Sequence, residues 1–280
     1  MQPHGSAIVT GASRGLGRAI ALELADRGFD VVAGVRDLDG GSGLAEEAAN
    51  RAGSLRVQQL DVTRLADFQP PPDLRVLVNN AGYRGPYLPI EEAPPEEWRK
   101  TFETNVFGPI ELIRRCVPIL RTAGEGVICN IGSFAVEMPT PFFSTYRASK
   151  AAMLAVGQSI RVELAPFNIR VIDVPIAGVD TDMMRTSMSW RPPDAVQYEP
   201  YRPMAERIME VTALGRTAAV SPAEAARNVV DAILVDDGPL TRPCDPNAVK
   251  LSGDLGGLSE EERYRAMTTA LGLPAQADVR

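Results

Sequence analysis

Histidine is almost missing from this chain. Of 280 residues only His4 carries an imidazole. It precedes the first strand-like run, so histidine-based catalysis has nothing to work with and a frayed terminus is the expected setting. Cysteine is scarce as well. Cys116, Cys129 and Cys244 lie far apart without metal-ligand spacing, which argues against both a metal site and a disulfide frame and for a reducing compartment. Positive charge is short too: 29 basic against 36 acidic residues give a net charge of −7. With no dense Lys/Arg stripe, a nucleic-acid partner is excluded. No apolar run approaches membrane-spanning length and the N-terminus has no signal-peptide pattern, so the expectation is a cytoplasmic protein without a membrane partner.

What is present is the profile of a globular chain, 45% hydrophobic and 23% charged. Short β-branched runs alternate with longer helical patterns. Ala7-Ile8-Val9 precedes a helix over Leu16 to Arg27, and Val31-Val32 precedes one over Leu44 to Ala52. Further strands are expected at Leu55 to Leu60, Val76 to Val78, Val127 to Ile131 and Ile169 to Val174. The βαβα order predicts an α/β fold with a doubly wound parallel sheet and helices on both faces. Pro70-Pro71-Pro72 leaves room for only an abbreviated connection between Asp61 and Arg75. Ser221-Pro222-Ala223-Glu224 and Ser259-Glu260-Glu261-Glu262 fit the capping-box pattern, with helices running to about Val235 and Leu271. We expect one domain over residues 1–240 and a C-terminal extension, 241–280, packed on it.

After the first strand comes "TGASRGLG", Thr10 to Gly17, where a strand turns into a helix. Glycine permits positive φ and lets a phosphate approach backbone N–H groups at the helix's positive end. The second strand ends in "GVRD", Gly34 to Asp37. An acidic residue directly at that end accepts from a ribose 2′-OH, whereas arginine suits a 2′-phosphate. Arg36 and Arg14 therefore favour NADP(H) over NAD(H), with Asp37 and a solvated-surface role for either arginine as the counter-reading. "TYRASK" places Tyr146 and Lys150 four apart, on one face of any helix. A free phenol has a pKa near 10, and a neighbouring ammonium stabilises its phenolate.

The loop together with "NNAG" (Asn79 to Gly82), Asn105, Ser133 and Tyr146/Lys150 resembles the short-chain dehydrogenase/reductase family over about residues 6 to 240. Ser133 precedes Tyr146 by 13 positions and Asn105 precedes it by 41, as the family pattern has them. The resemblance implies a Rossmann fold that binds a nicotinamide dinucleotide. It implies Tyr146 as acid/base, Lys150 as its tuner, Ser133 as hydrogen-bond donor to the substrate oxygen, and Asn105 as holder of a relay water. Pro109 supplies a reason for that last role, since it removes the N–H that the Asn105 carbonyl would meet in a helix and kinks it there.

The same resemblance places Gly11, Ser13, Arg14, Gly15, Leu16 and Gly17 around the phosphates. Asp61 and Val62 go near the adenine, Asn80, Ala81 and Gly82 along the adenosine half, and Tyr146 and Lys150 at the nicotinamide ribose. Val179 and Thr181 are left to serve the carboxamide. One departure stands out. Ile176-Ala177 occupy the positions where the family has Pro-Gly, so the loop is expected to be rebuilt around Gly178. Residues 183 to 215 are expected to form the substrate flap, rich in Met183, Met184, Met188, Trp190, Tyr198, Tyr201, Met204 and Met209, with Phe142-Phe143 ahead of Tyr146. Such side chains suit a lipophilic or aromatic substrate and equally suit internal packing. The expectation is an NADP(H)-dependent carbonyl/alcohol oxidoreductase, a homodimer or homotetramer by resemblance. An NAD-dependent alcohol dehydrogenase and a non-catalytic dinucleotide sensor are the alternatives.

Overall fold

Six strands, all parallel, run in the order β3-β2-β1-β4-β5-β6. They are β1 (Ser6–Thr10), β2 (Asp30–Val35), β3 (Ser54–Gln59), β4 (Leu74–Asn79), β5 (Gly126–Ser133) and β6 (Ile169–Ile176). A computed structural model of the chain describes residues 1–187, 192–214 and 219–274. The chain leaves β1 toward β2 and β3 and returns past β1 to β4, so the order reverses at the β1/β4 boundary, where a doubly wound sheet opens its crevice.

The helices are α1 (Gly15–Asp26), α2 (Leu44–Glu47), α3 (Pro95–Phe102), α4 (Gly108–Ala123), α5 (Ser144–Leu164), α6 (Asp182–Arg185), α7 (Arg202–Leu214), α8 (Pro222–Leu234), α9 (Pro246–Leu255) and α10 (Glu260–Ala270). Strand side chains alternate faces. Ala7, Val9, Val76, Val78, Ile172 and Val174 face a core shared with α1 and α8, while Ile8, Leu77, Ile128 and Val171 face one shared with α4 and α5. Each large side chain fully buried this way contributes about 1.5–3 kcal/mol, which holds the sheet between two helical layers.

Three local outcomes differ from the sequence reading. The helix expected over Leu44 to Ala52 stops at Glu47, and Ala49 and Arg51 bond only three residues back. Gly53 ends it early: its N–H meets Ala25 O at 2.8 Å, and a Cβ there would collide with the Phe29 carbonyl. Around Asn105 the helix does not simply kink. Residues Glu103–Phe107 form a π-helical turn between α3 and α4, a one-residue widening just before Pro109. Nor does the start of the chain fray, since His4 Nε2 lies 3.6 Å from Glu125 and Ser6 Oγ donates to Asp73 at 2.7 Å.

The β3–β4 connection is abbreviated, as Pro70 to Pro72 require, and Leu65 and Phe68 plug it into the core. Ser259 and Glu262 form a reciprocal capping box, whereas Ser221 caps only the Glu224 N–H. Both helices end within a residue of the expected stop. Beyond α8, Asp173 N–H meets Leu240 O and Arg242 N–H meets Asp173 O, each at 2.8 Å, so residues 240–242 run parallel beside β6.

Candidate active site

The carboxyl ends of β1 and β4 are stitched together by one hydroxyl and one amide. Thr10 Oγ1 accepts from Asn80 N at 3.0 Å and Ala81 N at 2.9 Å, while Asn80 Nδ2 donates to Thr10 O at 2.9 Å. Gly11 (φ +66) and Gly15 (φ +55) hold left-handed backbone, which favours glycine at both. A Cβ on Gly17 would collide with the Asn80 amide and the Gly11 carbonyl, so helix α1 can start this close to the loop only without one. No side chain caps the α1 N-terminus, and Arg14, in extended conformation, occupies the cap position. Leu16 is buried beneath. Positive φ, missing Cβ atoms and uncapped amides form a cradle whose chemistry fits a diphosphate.

The two arginines face different partners. Arg36 Nε lies 3.3 Å from Asp37 at the end of β2, and Arg14 Nε lies 3.6 Å from Asp182 at the start of α6. Both pairs are solvent-exposed. Ser13 packs beside Gly40. Asp61 accepts from the N–H and hydroxyl of Thr63 at 2.9 and 2.8 Å, closing a turn rather than capping a helix, and Val62 touches Gly108 at the head of α4.

Helix α5 gathers the remaining candidates. Its buried face carries Thr145, Tyr146, Ser149, Met153 and Gly157 at helical spacing. Tyr146 is 7% exposed, and its ring stacks on Phe143 with centroids 4.8 Å apart. Lys150 Nζ sits 5.8 Å from the Tyr146 ring and donates to Ile131 O at 2.7 Å, fixing it to the end of β5. Asn105 joins the same helix: Nδ2 donates to Ser149 Oγ at 2.9 Å and Tyr83 O at 2.7 Å, and Oδ1 accepts from Tyr83 N at 2.7 Å. Gly82 lies alongside. Ser133 Oγ caps the turn that follows β5 by accepting from Ala135 N at 3.2 Å, which leaves its proton to donate. Arg147 on α5 grips that turn through Ala135 O and Val136 O, each at 3.0 Å.

The Ile176-Ala177 loop is rebuilt by partners from the C-terminal segment. Ala177 N–H donates to Asp245 at 3.0 Å, and Asp245, buried, also caps α9 through Ala248 N. Gly178 is needed for close approach and not for positive φ, because a Cβ there would collide with Asn247. Val179 pairs with Val220, and Thr181 caps α6 while its methyl lies over Gly15. Of the expected flap, Met188 and Trp190 fall outside the described residues. Tyr201 and Met204 pack with Tyr87, Phe142, Phe143, Met267 and Leu271 in a third apolar cluster, and Met183 is exposed.

Thr10, Tyr83, Ser149, Asp173 and Asp245 escaped the sequence reading. Thr10 preceded the glycine loop in plain view, but nothing local shows that its hydroxyl reaches β4. An acidic residue within the apolar run Ile169 to Val174 was a usable signal for Asp173, since buried charge in a central strand is costly.

The family model described as short chain dehydrogenase matches residues 6–192. The chain is similar to an uncharacterized oxidoreductase, YusZ, of Bacillus subtilis, 38% identical over 196 residues covering 65% of this chain and 68% of that one. Among solved structures it is similar to a short chain dehydrogenase from Burkholderia cenocepacia in complex with NADP, at TM-score 0.71 and 26% identity over 98% of this chain and 100% of that one. A 7 alpha-hydroxysteroid dehydrogenase complexed with NADH and 7-oxo glycochenodeoxycholic acid aligns at TM-score 0.63 and 27% identity over 81% of this chain and 85% of that one.

Proposed function

This chain belongs to the short-chain dehydrogenase/reductase family, and we propose that it interconverts a ketone or aldehyde and an alcohol on a lipophilic small molecule with NADP(H). The observation that carries this reading is the grip of α5 on every candidate group. It bears Tyr146 and Lys150, binds Asn105 through Ser149, and binds the Ser133 turn through Arg147.

When bound in the glycine cradle, the nicotinamide dinucleotide supplies or accepts the hydride. The rest falls to the chain. Ser133 donates to the substrate oxygen where charge develops. Tyr146 gives its phenolic proton to that oxygen in reduction and takes it back in oxidation. Lys150, held by the Ile131 carbonyl, stabilises the phenolate. The Asn105 side chain is spent on Tyr83 and Ser149, so its main-chain carbonyl, deprived of an i+4 donor by Pro109, is the acceptor for a water; in reduction Lys150 passes a proton to the Tyr146 phenolate and that water returns one to Lys150.

Arg36 at the β2 end supports NADP(H). An NAD(H)-linked alcohol oxidation is the second reading, favoured by the pairing of Arg36 with Asp37 and of Arg14 with Asp182. The aromatic wall formed by Tyr87, Phe143 and Tyr146 supports an apolar substrate. All three cysteines are buried free thiols, and burial pushes Cys116 and Cys244 up to about 12, which fits a reducing cytoplasm. Among the described residues no helix is long and apolar enough to cross a membrane. The apolar side chains of Phe107 and Val162, 52% and 76% exposed, support pairing of copies around α4 and α5, which sedimentation equilibrium would report.

A carbonyl and alcohol screen followed by NADPH absorbance tests the function. Tyr146→Phe should lose at least about a hundredfold in turnover and keep cofactor binding. Undiminished turnover in that variant would sink the assignment.

A further inference from the structure

Behind the tyrosine-lysine pair lies a carboxylate for which the reaction above has no use. Asp173, on β6, is 5% exposed. It lines one narrow cavity together with Lys150, Asn105, Asn79, Asn130 and Pro109. The cavity holds about 10 Å³, on the order of one water molecule. Two further observations show that this is a polar chamber and not a packing gap. Asn79 Nδ2 donates to Asn130 Oδ1 at 2.9 Å, which leaves Asn130 Nδ2 and Asn79 Oδ1 without a partner among the described residues although Asn130 and Asn79 are only 3% and 6% exposed. And Gly132, between the Ile131 carbonyl that holds Lys150 and Ser133 itself, is where a Cβ would come within 2.5 Å of Asp173 Oδ2, so its absence makes room for the carboxylate.

We propose that Asp173 is a positioning residue for the reaction: from β6 it acts through the Asn79–Asn130 chamber as the counter-charge that sets how strongly Lys150 acts on Tyr146. The inference rests on Tyr146 and Lys150 working as the acid/base pair. A buried carboxylate costs stability unless something offsets it, and here the offset is the lysine. Burial pushes the Asp173 carboxyl up to about 6, with the Lys150 charge pulling it down.

The other groups around it add no net carboxylate. Cys129 on β5 is a thiol that burial holds neutral, Cys244 beyond the 240–242 stretch likewise, and Arg242 donates its main-chain N–H to Asp173 O. Asn79 and Pro109 bring no charge from β4 and α4. Once ionised, Asp173 partly cancels the lysine's field, so more alkali is needed to form the phenolate. Protonated, or replaced by a neutral isostere, it leaves that field whole.

Asp173→Asn tests this. In alcohol oxidation the midpoint of the kcat–pH profile should move to lower pH by roughly half to one unit, with the cofactor KM within about twofold of wild type. A role in packing alone changes amplitude without moving the midpoint. Superimposable midpoints in a folded, cofactor-binding Asp173→Asn protein overturn the proposal.

A second measurement uses the unaltered chain. With carbon-13-labelled lysine, the Lys150 signal, assigned by Lys150→Arg, should show an inflection where Asp173 titrates. A flat signal through that range overturns the proposal whether or not the variant folds. If wild type reduces no carbonyl, the catalytic reading fails, and the lysine titration still decides whether Asp173 faces Lys150 electrostatically.

Discussion

Replacing Thr10 by valine keeps the shape of a side chain that is 1% exposed and removes one oxygen. That oxygen accepts from Asn80 N and Ala81 N and donates to Val78 O at 3.3 Å. Each main-chain N–H left without an acceptor costs about 1–3 kcal/mol when buried. Residues 80 and 81 are half-buried, so the low end applies to each and the pair costs about 2 kcal/mol. For a chain of this size that lowers Tm by about 4–8 °C. Thr10→Ser is the control. It keeps the hydroxyl and loses one methyl, worth about 0.8 kcal/mol. If the Asn80-Ala81 segment also drifts to find water, dinucleotide affinity should fall roughly fivefold in the valine protein and little in the serine one. Urea denaturation, thermal melts and cofactor titration read these quantities. Equal melting of Thr10→Val and Thr10→Ser would refute the idea that this hydroxyl ties β1 to β4.

Arg36→Ala should weaken NADPH binding by about tenfold, the loss of one charge-assisted phosphate contact, while NADH binding stays within about twofold; equal effects on both would return the choice to NAD. Asp173 also gives a pH signature in stability. Its folded value of about 6 lies above the ordinary 3.8, so the native state holds the proton more tightly between those values. Stability therefore falls as pH rises from about 4 to 6, by up to about 3 kcal/mol. Asp173→Asn should flatten that slope in urea titrations, and an unchanged slope would reject it. Gly178→Ala should cost about 1–3 kcal/mol by overlap with Asn247, and pairing it with Asn247→Ala should recover much of that loss in a double-mutant cycle.

The sheet was legible because parallel strands buried on both faces read as apolar runs, as β1, β2, β4 and β5 do, while the edge strand β3, SLRVQQ, was placed by its position in the alternation. The candidate site was legible where it sits in short motifs that the fold brings to one end of the sheet: Gly11 to Gly17, Asn79 to Gly82, and Tyr146 with Lys150. What escaped were groups whose task is set by a partner distant in sequence. Thr10 bonds residues 80 and 81, Ser149 accepts from Asn105, and Asp245 accepts from Ala177. A single hydroxyl or carboxylate has no periodicity to betray such a partner. The Leu44 to Ala52 helix failed for a similar reason, since its propensity lost to the close approach that Gly53 makes to residues 25 and 29.

The Ile176-Ala177 departure shows how such partners reshape a site. A loop without glycine at position 177 needs another way to fix its main chain, and Asp245 provides it by accepting from Ala177 while capping α9. That anchors the C-terminal segment to the loop beside the glycine cradle. The next helix closes the other side: Arg263 pairs with Glu137 just past the Ser133 turn, and Met267 and Leu271 pack against Tyr87 and Phe142. Phe142 holds a positive φ of 63, an uncommon conformation for a bulky residue. Its ring meets Tyr201 edge-on at 6.0 Å while its neighbour Phe143 stacks on Tyr146. Both rings belong to the third apolar cluster, and Phe143, packed between Tyr87 and Tyr146, carries that cluster to the candidate acid/base. Helix α10 therefore packs, through Met267 and Leu271, into the same cluster that holds Phe143 against Tyr146, which ties the C-terminal segment to the candidate site rather than leaving it an appendage.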